Sequence, residues 1–206
     1  MPVAHLGHVE LMVPDLGAST AFFRDMIGLE ISDEQDGRVF MRAWQDLDHH
    51  TLVLTEGPDQ SMAHIAWRVP TKEETLDIER ELNARGIETS WGEAAEGAGH
   101  GDALSFRSPG GIPIELYYEV EYYKAPPELQ SRFPSHPSLV STRGAAARRF
   151  DHVTFSVNDA RAEQQFHTDV LGIYHRYYVE TQDGLRVGSW MSRTNISHET
   201  AFTFNG

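Results

Sequence analysis

The chain has 206 residues, of which 40% are hydrophobic, and its formal net charge at pH 7 is −14. This acidic balance disfavours nucleic acid or an anionic membrane as a partner, because both are bound through basic surfaces. The absence of cysteine excludes disulfides, thiolate zinc sites and iron–sulfur clusters, and no apolar run approaches the roughly 18 residues that span a bilayer. Together with the lack of a signal sequence, these features predict a cytoplasmic protein with a packed core.

The first part of the chain predicts a strand, a helix and three further strands. Residues 8–13 alternate and are rich in branched side chains, which indicates a strand. Asp15 begins a stretch with apolar residues at helical spacing, and Gly28 ends it. Turn-forming residues separate three strand-like segments at 29–33, 38–43 and 50–55. This order of elements is a βαβββ module.

The same order occurs twice more. The segment that begins at Gly7 is repeated from Asp151 and, more faintly, from Ala63. The second copy predicts a strand, a helix and three strands at 65–69, 73–85, 87–90, 103–107 and 113–118. The third copy predicts the same elements at 152–157, 160–170, 174–180, 185–191 and 200–204. Modules of this size normally bury their apolar face against a partner module.

A change in composition divides the chain. Residues 122–148 are rich in proline, serine and alanine, which predicts a linker. The linker separates two paired modules, residues 1–121, from a third module at 149–206. The predicted fold class is therefore α+β, with repeated βαβββ modules.

Histidines and a carboxylate occupy related strands of the first two modules. His8 and His64 lie on the first strands of their modules, and Glu115 lies on the last strand of the second. Because equivalent strands of paired modules face each other, these three side chains are expected to converge. Two imidazoles and a carboxylate form a facial set that holds Fe(II) or another divalent metal. The competing interpretation is a group of hydrogen-bonded strand residues.

These features resemble the vicinal oxygen chelate superfamily, which has the glyoxalase, bleomycin resistance and extradiol dioxygenase fold. The longer similarity is to the type I extradiol ring-cleaving dioxygenases, the catechol 2,3-dioxygenase group. The similarity rests on the order and spacing of the modules. It also rests on Gly28 and Leu29, on residues 108–119 at the end of the second module, and on residues 150–152, where the third module begins.

The resemblance implies extradiol (meta) cleavage of a catechol-type ring, in aromatic hydrocarbon catabolism. It implies Fe(II), with Mn(II) as the alternative, and a small aromatic diol and O2 as partners of a homo-oligomer. By the same resemblance His152 is a metal ligand of the catalytic barrel, and His198 is the acid and base beside the bound oxygen. His50, the repeat partner of His198, receives no catalytic role. The resemblance makes residues 1–121 an N-terminal barrel and residues 149–206 the first half of the catalytic barrel. The family usually has no metal in its N-terminal barrel, so His8, His64 and Glu115 form an alternative triad.

The chain departs from the family at its end. The repeat places the next histidine ligand at about residue 212 and the carboxylate at about residue 263, both beyond Gly206. Three explanations stay open: the chain is a fragment of a longer enzyme, the third module pairs with a copy in another subunit, or the N-terminal triad holds the functional metal. We favour the fragment explanation.

Two other functions stay open. A metal-dependent isomerase, epimerase or thiol transferase of the same superfamily would use the N-terminal triad and would be active within residues 1–120. A non-catalytic module would bind a flat aromatic molecule between aromatic side chains. The aromatic side chains considered for this role are Trp44, Trp67, Trp91, Tyr117 and Tyr118.

Overall fold

The computed structural model describes residues 2–92 and 99–206. The first two modules form one mixed sheet of eight strands, and the third module forms a sheet of four strands. This arrangement confirms the predicted α+β fold of repeated βαβββ modules. In these two ranges, no helix is both long enough and apolar enough to cross a membrane.

The first module follows the predicted order. Its elements are β1 His5–Val13, α1 Leu16–Ala21, β2 Glu30–Gln35, β3 Arg38–Arg42 and β4 Leu52–Glu56. The Asp15 carboxylate accepts a hydrogen bond from the main-chain N–H of Ala18 and caps α1. The helix then continues as a π-helical turn, Phe22–Ile27, and ends at Gly28, whose φ is +87°. The sequence predicts the cap and the stop, whereas the change to π-helical hydrogen bonding was not predicted.

The second module differs from the prediction at two strands, because its first strand begins at Ser61 and not at residue 65, and its second strand lies later than predicted. Its elements are β5 Ser61–Arg68, α2 Lys72–Ala84, β6 Ser90–Gly92, β7 Ala103–Arg107 and β8 Pro113–Tyr117. The prediction of a strand at 87–90 is wrong by about three residues. Ile87 instead donates its N–H to the Leu82 carbonyl at 3.0 Å and packs against the core, so it belongs to the end of the helix.

The third module agrees with its predicted bounds within about one residue. Its elements are β9 Val153–Val157, α3 Ala160–Asp169, β10 Tyr174–Glu180, β11 Arg186–Ser192 and β12 Thr200–Phe204. The Asp159 carboxylate caps α3 by accepting from the N–H groups of Arg161 and Ala162, as Asp15 does in the first module. The predicted linker contains a short 3-10 turn, Pro127–Leu129.

The eight-stranded sheet has the order β2-β3-β4-β1-β5-β8-β7-β6. The two modules therefore join through β1 and β5, which pair antiparallel. On β5, the alternate residues Ile65 and Trp67 pack with Ile78 and Leu82 of α2 in the main core. Because successive side chains of a strand point to opposite faces, the residues between them face the other side of the sheet.

The second and third modules share this core. Phe106 of β7 and Phe166 of α3 have ring centroids 6.2 Å apart. The buried Glu163 carboxylate accepts hydrogen bonds from the Ser108 hydroxyl and the Gly110 N–H in the turn before β8. The third module is thus packed against the first sheet through apolar contacts and through buried hydrogen bonds.

Candidate metal centre and histidine pair

The strand register brings the predicted N-terminal triad together around Ala66. In β1, His8 lies opposite Ala66, and in β8, Glu115 lies opposite the same alanine from the other side. His64 is two residues before Ala66 and therefore shares its face of β5. Ala66 is fully buried, and its small side chain leaves space for its larger neighbours to meet above it.

Three ligand atoms converge at this point. His8 Nε2 and His64 Nε2 are 2.9 Å apart. Glu115 Oε1 is 3.9 Å from His8 Nε2 and 3.7 Å from His64 Nε2. These are two imidazole nitrogens and one carboxylate oxygen, the donor set of a facial triad. The arrangement can hold one divalent ion between three strands.

A second carboxylate orients one of the imidazoles. Glu10 lies opposite His64 in the pairing of β1 with β5, and its Oε2 is 3.4 Å from His64 Nδ1. The other oxygen of Glu10 accepts a hydrogen bond from the Thr55 hydroxyl. A carboxylate on Nδ1 fixes the orientation of the ring and leaves Nε2 as the free donor.

Two further histidines surround the triad. The His8 ring lies 4.6 Å from that of His50 and 5.5 Å from that of His100, measured between centroids. His100 Nε2 is also 3.7 Å from Glu115 Oε1. Burial holds the pKa of His8 well below its ordinary value, and the neighbouring imidazoles lower it further. The pKa of His50 is lowered well below its ordinary value for the same reasons.

The sequence analysis missed two residues of this cluster. Glu10 was detectable, because strand alternation places it on the same face as His8. His100 lies outside any predicted strand, and the sequence carries no signal that places it beside β1.

A cavity of about 150 Å³ adjoins the triad. Its polar lining includes Arg38, Glu10 and four histidines, which are His8, His50, His64 and His100. The five aromatic residues considered for a flat-ligand module are all in the described ranges, and none of them lines this cavity. Trp67 is instead part of the buried core.

The third module contains the second predicted pair. His152 and His198 have ring centroids 4.3 Å apart, close to the 4.6 Å of their repeat partners His8 and His50. His152 Nδ1 lies 2.9 Å from the Asp151 carboxylate, which leaves Nε2 free to bind a metal. Among the described residues, neither of the two clusters that could hold a metal includes His152.

His198 lies in a polar and only partly buried environment. Its Nδ1 is 3.1 Å from the Ser197 hydroxyl and 3.2 Å from the Tyr177 hydroxyl. Partial burial lowers the pKa of His198, His152 lowers it further, and the Asp151 carboxylate acts in the opposite direction. Its repeat partner His50, by contrast, is almost fully buried.

The chain is similar to known dioxygenases over nearly its whole length. It is 40% identical to a manganese-dependent 2,3-dihydroxybiphenyl 1,2-dioxygenase of Geobacillus genomosp. 3, over 96% of this chain and 62% of the relative. It is 34% identical to a metapyrocatechase of Geobacillus stearothermophilus, over 97% of this chain and 60% of the relative. The chain thus spans about 60% of the length of these curated relatives.

Solved structures of dioxygenases are also similar to the chain over nearly its whole length. The 2,3-dioxygenase LapB from Pseudomonas sp. KL28 superposes with a TM-score of 0.87 at 25% identity, covering 100% of this chain and 71% of that one. Homoprotocatechuate 2,3-dioxygenase from Brevibacterium fuscum, solved with 3,4-dihydroxyphenylacetate, gives 0.84 at 27% identity, covering 99% and 61%. Residues 5–116 match the model of the Glyoxalase/Bleomycin resistance protein/Dioxygenase superfamily. The chain therefore belongs to this superfamily, and the relatives and solved structures that it resembles are dioxygenases.

Proposed function

We propose that the protein containing this chain cleaves a catechol-type ring beside its two hydroxyl groups, with O2 and either Fe(II) or Mn(II). The observation that carries this proposal is the His152–His198 pair, 4.3 Å apart between ring centroids, in a chain 40% identical to a manganese-dependent extradiol dioxygenase. Both atoms of O2 enter the product as one ring carbon–carbon bond breaks, which gives a hydroxymuconic semialdehyde without a further reductant.

The two histidines have different roles in this proposal. His152 is a metal ligand through Nε2, and Asp151 holds its Nδ1. When bound, the metal supplies a Lewis acid that lowers the pKa of the diol hydroxyls and a centre at which diol and O2 meet. His198 accepts a proton from the diol and returns it as the ring opens, and the Ser197 and Tyr177 hydroxyls orient its imidazole.

The test uses the purified protein with its natural chain ends. It is loaded anaerobically with Fe(II) or Mn(II), and catechol or 2,3-dihydroxybiphenyl is then added with O2. We expect a yellow ring-fission product and one O2 consumed per diol. The substitution His198→Asn should lower kcat by about 100-fold or more, because it removes the proton carrier, while the metal content is retained.

His136→Gln is the matched control, since it removes a histidine that packs on Trp44 and Phe133 outside both clusters. This variant should keep the activity of the unmodified protein. A colourless product of cleavage between the hydroxyls, no O2 uptake by the metal-loaded protein, or loss of metal in His198→Asn would contradict the proposal.

We further propose that the enzyme is a cytoplasmic homo-oligomer. The acidic, cysteine-free composition supports the compartment. The exposed side chains of Tyr174, Tyr178 and Val179 on β10 support association, because exposed apolar side chains grouped on one element can mark a contact surface.

A further inference from the structure

The N-terminal barrel contains a buried oxygen that lacks a hydrogen bond. Glu115 Oε1 is buried and accepts no hydrogen bond from residues 2–92 or 99–206. Three imidazole nitrogens surround it, and they belong to His8, His64 and His100 at 3.9, 3.7 and 3.7 Å. A buried acceptor without a donor is costly and rare in native proteins. Its position therefore requires a partner.

The separations match those around a metal ion. The three atoms of the triad are 2.9, 3.7 and 3.9 Å apart, and the circle through them has a radius of about 2.1 Å. This radius equals the usual length of a bond from a divalent ion to imidazole nitrogen or carboxylate oxygen, about 2.0 to 2.2 Å. An ion bonded to all three atoms at this length would lie in their plane, and shortening the two longer separations would move it out of that plane toward the cavity.

The residues around the triad also resemble those around a metal centre, because a second carboxylate contacts one of the histidines. Glu10 lies 3.4 Å from the second ring nitrogen of His64 and is itself held by Thr55. Such carboxylate–histidine contacts orient the ligands of metal sites. The neighbouring cavity of about 150 Å³ has room for roughly five water molecules at about 30 Å³ each. Open coordination positions on the ion would face this space.

We propose that the N-terminal barrel binds one divalent transition-metal ion through His8 Nε2, His64 Nε2 and Glu115 Oε1, separate from the metal of the proposed ring-cleavage site. Two imidazoles and one carboxylate select ions such as Zn(II), Fe(II), Mn(II) or Co(II) over Mg(II) and Ca(II), which prefer oxygen ligands. Glu10 is a positioning residue that acts through His64.

The first test measures metal content and position with Co(II) as the probe. The protein with its natural chain ends is stripped with a chelator, loaded with Co(II), dialysed and assayed by elemental analysis and by the visible absorption of bound Co(II). Anomalous scattering from crystals should then place one cobalt within bonding distance of His8, His64 and Glu115. Strong anomalous density elsewhere, with none between these three residues, would overturn the proposal.

Variants separate this site from the proposed catalytic one. His64→Ala and Glu115→Gln should each weaken Co(II) binding at this position by more than about 100-fold, a larger loss than that from an outer partner. His152→Ala should leave this ion in place. If His64→Ala keeps every bound ion while His152→Ala loses one, the N-terminal cluster is a hydrogen-bonded group and the proposal is wrong.

Glu10 provides a graded test. Glu10→Gln should weaken Co(II) binding by about 10- to 100-fold without removing a ligand. Glu56→Gln at the exposed end of β4 is the matched control, because it removes the same charge from the face of the strand opposite Thr55 and should not change the affinity. Equal affinities of the Glu10 and Glu56 variants would contradict the positioning role. Circular dichroism of each variant verifies that the loss does not arise from unfolding.

Discussion

At the scale of single residues, Arg42 shows how one buried cation joins distant parts of the chain. Its guanidinium donates to the Glu30 carboxylate at 2.8 Å, to the Trp44 carbonyl at 3.2 Å and to the Ser138 hydroxyl at 3.3 Å. It also lies 4.0 Å from the centre of the Tyr123 ring. Burial lowers the pKa of Arg42, and the Glu30 carboxylate opposes this shift. The side chain therefore attaches the linker to the first sheet.

Arg42→Met should lower the free energy of unfolding by about 3 to 5 kcal/mol, because it leaves the Glu30 carboxylate without its cation. Urea denaturation measures the change. The control is Arg24→Met, which removes an exposed pair with Asp25 and should change the free energy of unfolding much less. Similar losses in the two variants would show that burial does not set the strength of the Arg42 contacts.

The triad is also a residue-scale result. The module repeat predicts that His8, His64 and Glu115 lie on related strands, and the structure brings their donor atoms within 4.8 Å of one another. The sequence did not indicate that Ala66 separates His8 from Glu115 in the sheet. Register is a property of strand pairs, and no single strand encodes it.

At the scale of elements, Gly28 ends the first helix and also supports the linker. Its φ of +87° is favourable only for glycine, and a Cβ at this position would overlap the Arg143 carbonyl and lie 2.8 Å from Ala146 N. The sequence predicts the helix stop from the glycine alone. The contact with the linker was not predictable, because it joins residues more than a hundred positions apart.

Gly28→Ala should therefore destabilise the protein by about 2 to 3 kcal/mol, through backbone strain of about 1 kcal/mol and displacement of the linker. Gly37→Ala is the control, since its φ is +73° but no atom lies within 4 Å of the added Cβ. It should cost about 1 kcal/mol, from strain alone. Thermal unfolding and limited proteolysis of the linker provide the measurements. Equal stabilities and equal cleavage rates would contradict the role of the linker contact.

At the scale of the whole molecule, the third module and the second module form one core. Phe166 of α3 packs near Phe106 of β7, and Glu163 binds the turn before β8. Both phenylalanines are buried. The predicted division of the chain into a barrel, a linker and a third module stays a prediction about sequence units, and the packing couples these units.

Phe166→Ala should cost about 3 to 5 kcal/mol, because it removes a buried ring from this shared core. Hydrogen exchange should show lost protection in β7 as well as in β12. Phe22→Ala removes a half-exposed ring from the first module and should leave both strands protected. Loss of protection in β12 alone would show that the two modules unfold independently.

The sequence by itself determined the repeat, the βαβββ order, the helix cap at Asp15 and the strands that carry the candidate ligands. These features depend on local periodicity and on turn chemistry, which neighbouring residues encode. The tertiary structure decided which donor atoms meet: His100 and Glu10 beside the triad, His198 beside His152. It also decided that the linker packs on Gly28 and Arg42. These contacts depend on strand register and on long-range packing, which are set only when the whole chain is folded.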